Sequence, residues 1–177
     1  MNELATLRPD ASIGDILFAN PERFGPILTF AQDVMRGSSA LAKADRELLA
    51  AYVSALNACS FCHGVHAATA QKFGVGSELL ETLLADRTLD ALDAKLRPIF
   101  AFAHKLTLEP ARVTSADRQV IVQTGFDHAV IGDVVAIVAL FSFFNRLVDG
   151  HGVKGTSEIF ARDSEMLASF GYLPPSQ

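Results

Sequence analysis

The sequence ADRELLAAYVSALNACSFCHGVHAATAQKF, from residue 44 to residue 73, decides how the whole chain is interpreted. Its first half places Leu, Tyr and Val at the three- and four-residue spacing of an amphipathic helix, over Ala44–Leu56. The second half is again helical in pattern from Cys59 onward. Asn57 is a predicted N-cap, which would place both cysteines in the first turns of a second helix. If the chain reverses near residues 57–58, the two helices pack antiparallel.

Helical patterns continue on both sides of this segment, and no alternating run bounded by turn residues indicates a strand. The predicted helices are Pro26–Arg36, Ala44–Leu56, Cys59–Lys72, Glu78–Ala85 capped by Ser77, Pro98–Leu106, one capped by Thr114 that ends near Gly125, one capped by Asp127 that ends near Val148, and one opened by Ser157. The sequence therefore predicts an all-α fold, a compact bundle of about six to eight helices. Because the loops are short, we expect a single domain over residues 1–177, with a redox core at about 44–73.

Size and charge narrow the possible functions. A chain of 177 residues buries roughly 70% of its unfolded surface, so its core needs no disulfide or metal. The net charge of −5, without a Lys/Arg cluster, argues against a nucleic-acid partner. The N-terminus lacks the features of a signal peptide, and the most apolar run, Val134–Phe144, is too short to cross a bilayer. We expect a cytoplasmic protein without a membrane partner, in which this run is a buried helix or a subunit interface.

The two cysteines, Cys59 and Cys62, are three residues apart. A disulfide between them would close almost no loop and would stabilise the fold little, so any importance of the sulfurs is chemical. On a helix, Cys59, Cys62 and His66 share one face. A thiolate is the nucleophile that attacks a peroxide, and a nearby histidine or a helix N-terminus favours its formation. A second cysteine within reach then condenses with the resulting sulfenic acid to form a disulfide.

Glu47 joins this group only if the chain reverses before Cys59. In one continuous helix it would lie about 18 Å from Cys59 along the axis. In an antiparallel pair it falls opposite the neighbourhood of His66. A carboxylate there orients the imidazole and raises its basicity, directly or through a water.

Glu47, Cys59, Cys62 and His66 form the pattern E-x11-C-x2-C-x3-H. This pattern resembles the alkylhydroperoxidase D-like group of the carboxymuconolactone decarboxylase superfamily. The strong resemblance covers about residues 44–73, and a looser similarity to the peroxidase-related branch extends through residues 144–146. The resemblance implies an all-helical fold, a homo-oligomer (often a trimer or hexamer), and thiol-dependent reduction of hydrogen peroxide or small organic hydroperoxides.

The same resemblance implies a role for each of the four residues. Cys62 would attack the peroxide and Cys59 would resolve the product. His66 and Glu47 would relay the proton. The partner that re-reduces the disulfide would be a thiol electron donor, a lipoyl-bearing protein in some members, and the sequence does not identify it.

This chain departs from the best-studied members between the two cysteines. Those members have a histidine where this chain has Phe61. His63, directly after Cys62, is the candidate to replace it in part.

Other interpretations of the cysteine pair stay open. The sulfurs can be inert core residues, since free cysteine packs as a small hydrophobe. A zinc site needs four ligands, but Cys62 and His63 are adjacent and point apart. Residues 59–63 also fit the C-x-x-C-H haem signature, whose chemistry requires export. We expect no metal and no cofactor. The functional alternatives are a redox sensor or interaction protein that oxidises once, and a non-redox decarboxylase-type activity.

Overall fold

The computed structural model describes residues 10–86 and 88–173, and this part of the chain contains nine α-helices, one short 3-10 helix and no strand. The helices are α1 Ile13–Ala19, α2 Pro21–Arg36, α3 Lys43–Leu56, α4 Ser60–Lys72, α5 Leu79–Ala85, α6 Arg97–Leu108, α7 Ser115–Gln123, α8 Ala129–Gly150 and α9 Ser157–Phe170, with the 3-10 helix at Pro110–Arg112. The all-α prediction is confirmed, but the helices exceed the predicted six to eight. The single domain over residues 1–177 stays a prediction, and the N-terminal stretch considered for a signal peptide lies outside the described residues.

Two differences from the predicted helices lie near the N-terminus. Helix α1 was not predicted, because seven residues are too few for a helical period to emerge. Its start is fixed by a capping box between Ser12 and Asp15. Helix α2 begins at Pro21 rather than at the predicted Pro26, because Asn20 caps it by accepting a hydrogen bond from a backbone N–H in its first turn.

The chain reverses between α3 and α4, but the caps differ from those predicted. Ala58 makes the turn with a φ of 60°, a left-handed conformation that costs a non-glycine residue about 1–2 kcal/mol. Asn57 is not the N-cap of α4 but the C-cap of α3. Cys59 is the N-cap of α4, with extended backbone angles, so it lies outside the helix that carries Cys62 and His66. The prediction that all three share one helical face is therefore wrong for Cys59.

Helix α8 crosses the core and packs against α2, α3, α4 and α6. The apolar run Val134–Phe144 is only its middle, and the whole helix of 22 residues is long and apolar enough to cross a membrane by length and composition. One side of it is buried as predicted, because it fills the space between the other helices. On its other side, Val135 and Phe143 are exposed.

Helix α9 packs against α4 through the ring of Phe160, which lies directly against two glycines. A Cβ atom on Gly64 would lie 2.4 Å from the Phe160 ring, and one on Gly155 would lie 2.1 Å from it. No other residue type leaves room for the ring at these positions. Gly171 then ends α9 with a φ of 81°, and the backbone N–H of the next residue, Tyr172, donates to the side chain of Gln32 in α2 at 2.7 Å. The chain after α9 is thereby returned toward α2 and α3.

Candidate active site

The two thiols are free and buried, and they interact with each other at the N-terminus of α4. Hydrogen bonds from the thiol and the backbone N–H of Cys62 lower the pKa of the Cys59 thiol, although burial and the nearby Asp149 oppose this. The same interaction with Cys59 raises the pKa of the Cys62 thiol, and burial raises it further. The first negative charge of the pair is therefore favoured on Cys59, at the helix N-terminus.

Helix α8 supplies two polar side chains to the sulfur pair, one helical turn apart. Asn145 is 1% exposed, and its interaction with Cys62 acts to lower the pKa of that thiol. Its amide also donates to Ser54 Oγ at 3.0 Å. Asp149 interacts with Cys59 and acts to raise the pKa of its thiol, through a hydrogen bond and its charge. Neither residue was predicted from the sequence, in which their only signal is their polarity within an apolar helix.

Glu47 is fully buried and binds side chains from three other parts of the chain. His66 Nδ1 lies 2.6 Å from Oε2, so the predicted proximity of Glu47 and His66 is confirmed as a direct contact. Arg36 Nη1 lies 2.6 Å from Oε1, and the Tyr172 hydroxyl donates to the same oxygen at 3.1 Å. Burial raises the pKa of the Glu47 carboxyl, but the charges and hydrogen bonds of His66 and Arg36 together lower it by more. Glu47 is therefore ionised.

Arg36 and Tyr172 are the site residues that the sequence did not reveal. Arg36 lies at the end of α2, and it also donates to the backbone carbonyls of Met35 at 2.9 Å and Leu167 at 3.0 Å. Its guanidinium lies 5.1 Å from the centre of the Tyr172 ring. Burial and the charge of Glu47 raise the pKa of the Tyr172 phenol well above its usual value, so it is a permanent hydrogen-bond donor.

The two histidines of α4 have different environments. Because Glu47 accepts a hydrogen bond from His66 Nδ1, the Nε2 atom is the ring nitrogen left for proton exchange. The His66 ring meets Phe141 edge-on at 4.5 Å. His63 instead places its Nδ1 atom 3.3 Å from the backbone carbonyl of Ala51 in α3. Within residues 10–86 and 88–173, no group of three or more His, Cys, Asp or Glu side chains is arranged to hold a metal ion.

An apolar cavity of about 70 Å³ lies beside Cys62 and His66. Its walls come from α1, α2, α4, α8 and α9 and from Tyr172, and they include Leu17, Leu28, Phe61, Val65, Phe144 and Leu167. Phe61, the residue between the two cysteines, is thus part of the wall. Cys62 also lines this cavity, whereas Cys59 and His63 do not. A small molecule in the cavity therefore meets the Cys62 sulfur and the His66 ring.

The chain is similar in sequence and fold to several known proteins. Residues 21–105 match the model of the carboxymuconolactone decarboxylase family. The chain is 30% identical to an uncharacterized peroxidase-related protein from Silicibacter sp. TM1040, with a TM-score of 0.73 that covers 80% of this chain and 74% of that one.

Two more distant relatives extend the likeness. An uncharacterized peroxidase-related protein from Ralstonia eutropha JMP134, described as an alkylhydroperoxidase AhpD core, shares the fold with a TM-score of 0.76 at 22% identity, covering 92% of this chain and 93% of that one. The uncharacterized protein YdfG of Bacillus subtilis (strain 168) is 24% identical over 120 residues, which are 68% of this chain and 82% of YdfG. The chain belongs to the carboxymuconolactone decarboxylase family, is similar to a protein described as peroxidase-related, and has the fold of an alkylhydroperoxidase AhpD core.

Proposed function

We propose that this protein is a thiol-dependent peroxidase that reduces hydrogen peroxide or small organic hydroperoxides through a Cys59–Cys62 dithiol/disulfide cycle. The observation that carries the proposal is the position of Cys62, between a hydrogen-bonded partner sulfur and an apolar cavity. A peroxide has to meet a sulfur away from bulk water, and a second sulfur has to be in reach afterwards. The peroxidase-related description of two structural relatives supports the same class of reaction.

Access favours Cys62 as the attacking sulfur, although the first negative charge is favoured on Cys59. The hydrogen bond between the two sulfurs allows the negative charge to move from Cys59 to the accessible Cys62. Once His66 Nε2 has accepted one proton from the pair, the remaining proton passes from Cys62 to Cys59. The thiolate then lies on the sulfur that faces the cavity.

The Cys62 thiolate attacks one peroxide oxygen, the O–O bond breaks, and a sulfenic acid forms on Cys62. The leaving alkoxide, or hydroxide from hydrogen peroxide, takes the proton held by His66 and departs as an alcohol or water. The Cys59 thiol then attacks the sulfenic sulfur, which gives the disulfide and releases the sulfenic oxygen as one molecule of water. A dithiol donor returns two electrons and two protons to complete the cycle.

Single serine variants test the roles of the two sulfurs. Cys62→Ser should abolish peroxide consumption, since the nucleophile is lost. Cys59→Ser should still react once and leave a sulfenic acid on Cys62, detected by a dimedone adduct in peptide mass spectra. An adduct on Cys59 in the Cys62→Ser variant, with unchanged consumption of the first equivalent of peroxide, would reverse the assignment.

The main alternative is a redox sensor, which would oxidise once and stop. Multiple turnovers with dithiothreitol and excess cumene hydroperoxide would support the peroxidase. One equivalent consumed, with the disulfide resistant to the dithiol, would support the sensor.

A homo-oligomer, trimeric or hexameric, is part of the proposal. The exposed side chains of Phe30 in α2 and of Val135 and Phe143 in α8 support it, because large exposed apolar residues are common at subunit contacts. Light scattering coupled to size-exclusion chromatography measures the assembly, and a monomer at micromolar concentration would contradict it.

A further inference from the structure

The carboxylate of Glu47 is surrounded by donors and has no contact with solvent. Oε1 accepts from Arg36 and Tyr172, and Oε2 accepts from His66 Nδ1. Each of these hydrogen bonds needs the oxygen as an acceptor, so each favours the ionised carboxylate.

Protonating Glu47 would leave a buried guanidinium without its counter-charge. Arg36 stays charged at every relevant pH, and its side chain is 7% exposed. Its remaining hydrogen bonds go to the backbone carbonyls of Met35 and Leu167, which carry no net charge. A buried charge without a partner is strongly unfavourable, so the proton has little tendency to move onto Glu47.

The other groups around the pair offer no alternative counter-charge for Arg36. The titratable or charged groups near Glu47 and His66 are Arg36 from α2, Arg46 from α3, Cys62 from α4 and Tyr172 after α9, while α8 presents the Phe141 ring. Helix α9 contributes Asp163 to the cavity that His66 lines, and this carboxylate is paired with Arg162. Arg46 is bound to the carbonyls of Val34 and Gly37 at 3.0 Å, away from the carboxylate. Among the described residues, Glu47 is thus the carboxylate that pairs with Arg36.

We propose that Arg36 and Tyr172 are positioning residues that lock Glu47 as a permanent anion, so that the proton relay ends at His66. This inference rests on the proposed peroxidase function and refines it. Arg36 and His66 together stabilise the charge of Glu47, and Tyr172 donates to the oxygen that His66 does not use. His66 therefore keeps its proton on Nδ1 and exchanges through Nε2. The Tyr172 ring also lies parallel to the His66 ring, with 6.1 Å between their centres.

The test compares Arg36→Gln with Arg36→Lys and Tyr172→Phe in the full-length, reduced protein. Glu47 is followed by the carboxyl ¹³C shift against pH, and the His66 tautomer by its ring ¹⁵N shifts. In the wild type the carboxyl should titrate below its ordinary range. In Arg36→Gln its titration should move up by roughly one to two pH units, because His66 alone then opposes the effect of burial. Tyr172→Phe should move it in the same direction by less, and Arg36→Lys should restore it.

The kinetic readout is the pH dependence of kcat/KM for cumene hydroperoxide. Protonated Glu47 donates to His66 Nδ1 and moves the ring proton to Nε2, which blocks the base. The acid limb of the profile should therefore shift upward in Arg36→Gln and return in Arg36→Lys. Arg112→Gln is the matched control, since this arginine is exposed and pairs with the neighbouring Glu109, and it should shift neither readout.

Two results would overturn the inference. One is a Glu47 carboxyl that titrates at or above its ordinary range in the wild type. The other is an unchanged titration in folded Arg36→Gln, or in Tyr172→Phe if Arg36→Gln does not fold. Because the carboxyl titration needs no peroxide, a wild type that shows the shift but consumes no peroxide would refute the proposed function and leave the charge assignment standing.

Discussion

Replacing Glu47 by Gln removes the charge at the centre of the site and keeps the side chain's shape. Gln has one acceptor oxygen, whereas Glu47 uses two oxygens to accept from Arg36, Tyr172 and His66. If the amide oxygen serves Arg36 and Tyr172, the amide NH₂ meets His66 Nδ1. That ring then places its proton on Nε2, and general-base catalysis worth about 10²–10⁴-fold is lost.

The stability change follows from the burial of the same groups. Removing one partner of a buried ion pair costs about 3–5 kcal/mol, because the other charge stays buried. In Glu47→Gln the charge left without its partner is that of Arg36, whose side chain is 7% exposed. A typical domain has only about 5–15 kcal/mol of stability, so Glu47→Gln should be strongly destabilised at pH 7.

The loss should depend on pH in a defined direction. Folding lowers the pKa of Glu47. The contribution of this carboxylate to the free energy of unfolding is therefore complete above its pKa in the unfolded chain, near 4.3, and disappears as the pH falls through its pKa in the folded protein. The wild type should therefore lose stability below about pH 4.3, while Glu47→Gln lacks this component. The difference between them should shrink as the solution becomes more acidic.

Urea unfolding from pH 7 to pH 3 measures this difference. Glu165→Gln is the control, because that carboxylate pairs with Lys72 at the surface and is 66% exposed, so its loss should leave stability nearly unchanged. Equal stability of Glu47→Gln and wild type at pH 7, or a difference that is the same at pH 7 and pH 3, would show that ionised Glu47 does not stabilise the fold.

Two further predictions concern packing and charge. Gly64→Ala should destabilise the fold by about 1–3 kcal/mol in thermal unfolding, because the new methyl group would clash with the Phe160 ring. Gly132→Ala, at an open position in α8, is the control and should stabilise the fold by about 1 kcal/mol. A stability change of the same sign in both variants would contradict the close packing of Phe160 on Gly64. Asp149→Asn should lower the pKa of the Cys59 thiol further, because the substitution removes a negative charge beside the sulfur. The ultraviolet absorbance of the thiolate, followed against pH, measures this pKa. An unchanged or raised midpoint would show that Asp149 does not act on the thiol.

The local sequence pattern was sufficient to predict the part of the site that lies on the α3–α4 hairpin. The helical period of Ala44–Leu56 and the break after Asn57 brought Glu47 opposite His66, and the two are in contact. The break was assigned to the wrong cap, however. Ala58 takes the left-handed turn conformation, and this lets Cys59 rather than Asn57 cap α4. A non-glycine residue in that conformation cannot be anticipated from helical periodicity.

The remaining site residues come from helices far away in the sequence. Tyr172 contacts a carboxylate 125 residues earlier in the chain, and its place depends on how α9 docks on α4. Arg36 is the last residue of α2, whose C-terminal end was correctly predicted, but the inward direction of its side chain depends on contacts with α9. Asn145 and Asp149 belong to an apolar helix whose rotation about its axis is set by packing. Tertiary contacts of this kind leave no periodic signal in one sequence.

The central claim is that Cys59 and Cys62 reduce a peroxide, and its most direct test is a stoichiometric reaction. Fully reduced protein is mixed with one equivalent of cumene hydroperoxide, and peroxide loss is followed together with intact and peptide masses. We expect rapid consumption of the peroxide and a loss of two hydrogens that maps to a Cys59–Cys62 disulfide. Unreacted peroxide after an hour, with both thiols free, would contradict it and leave the cysteines as inert core residues.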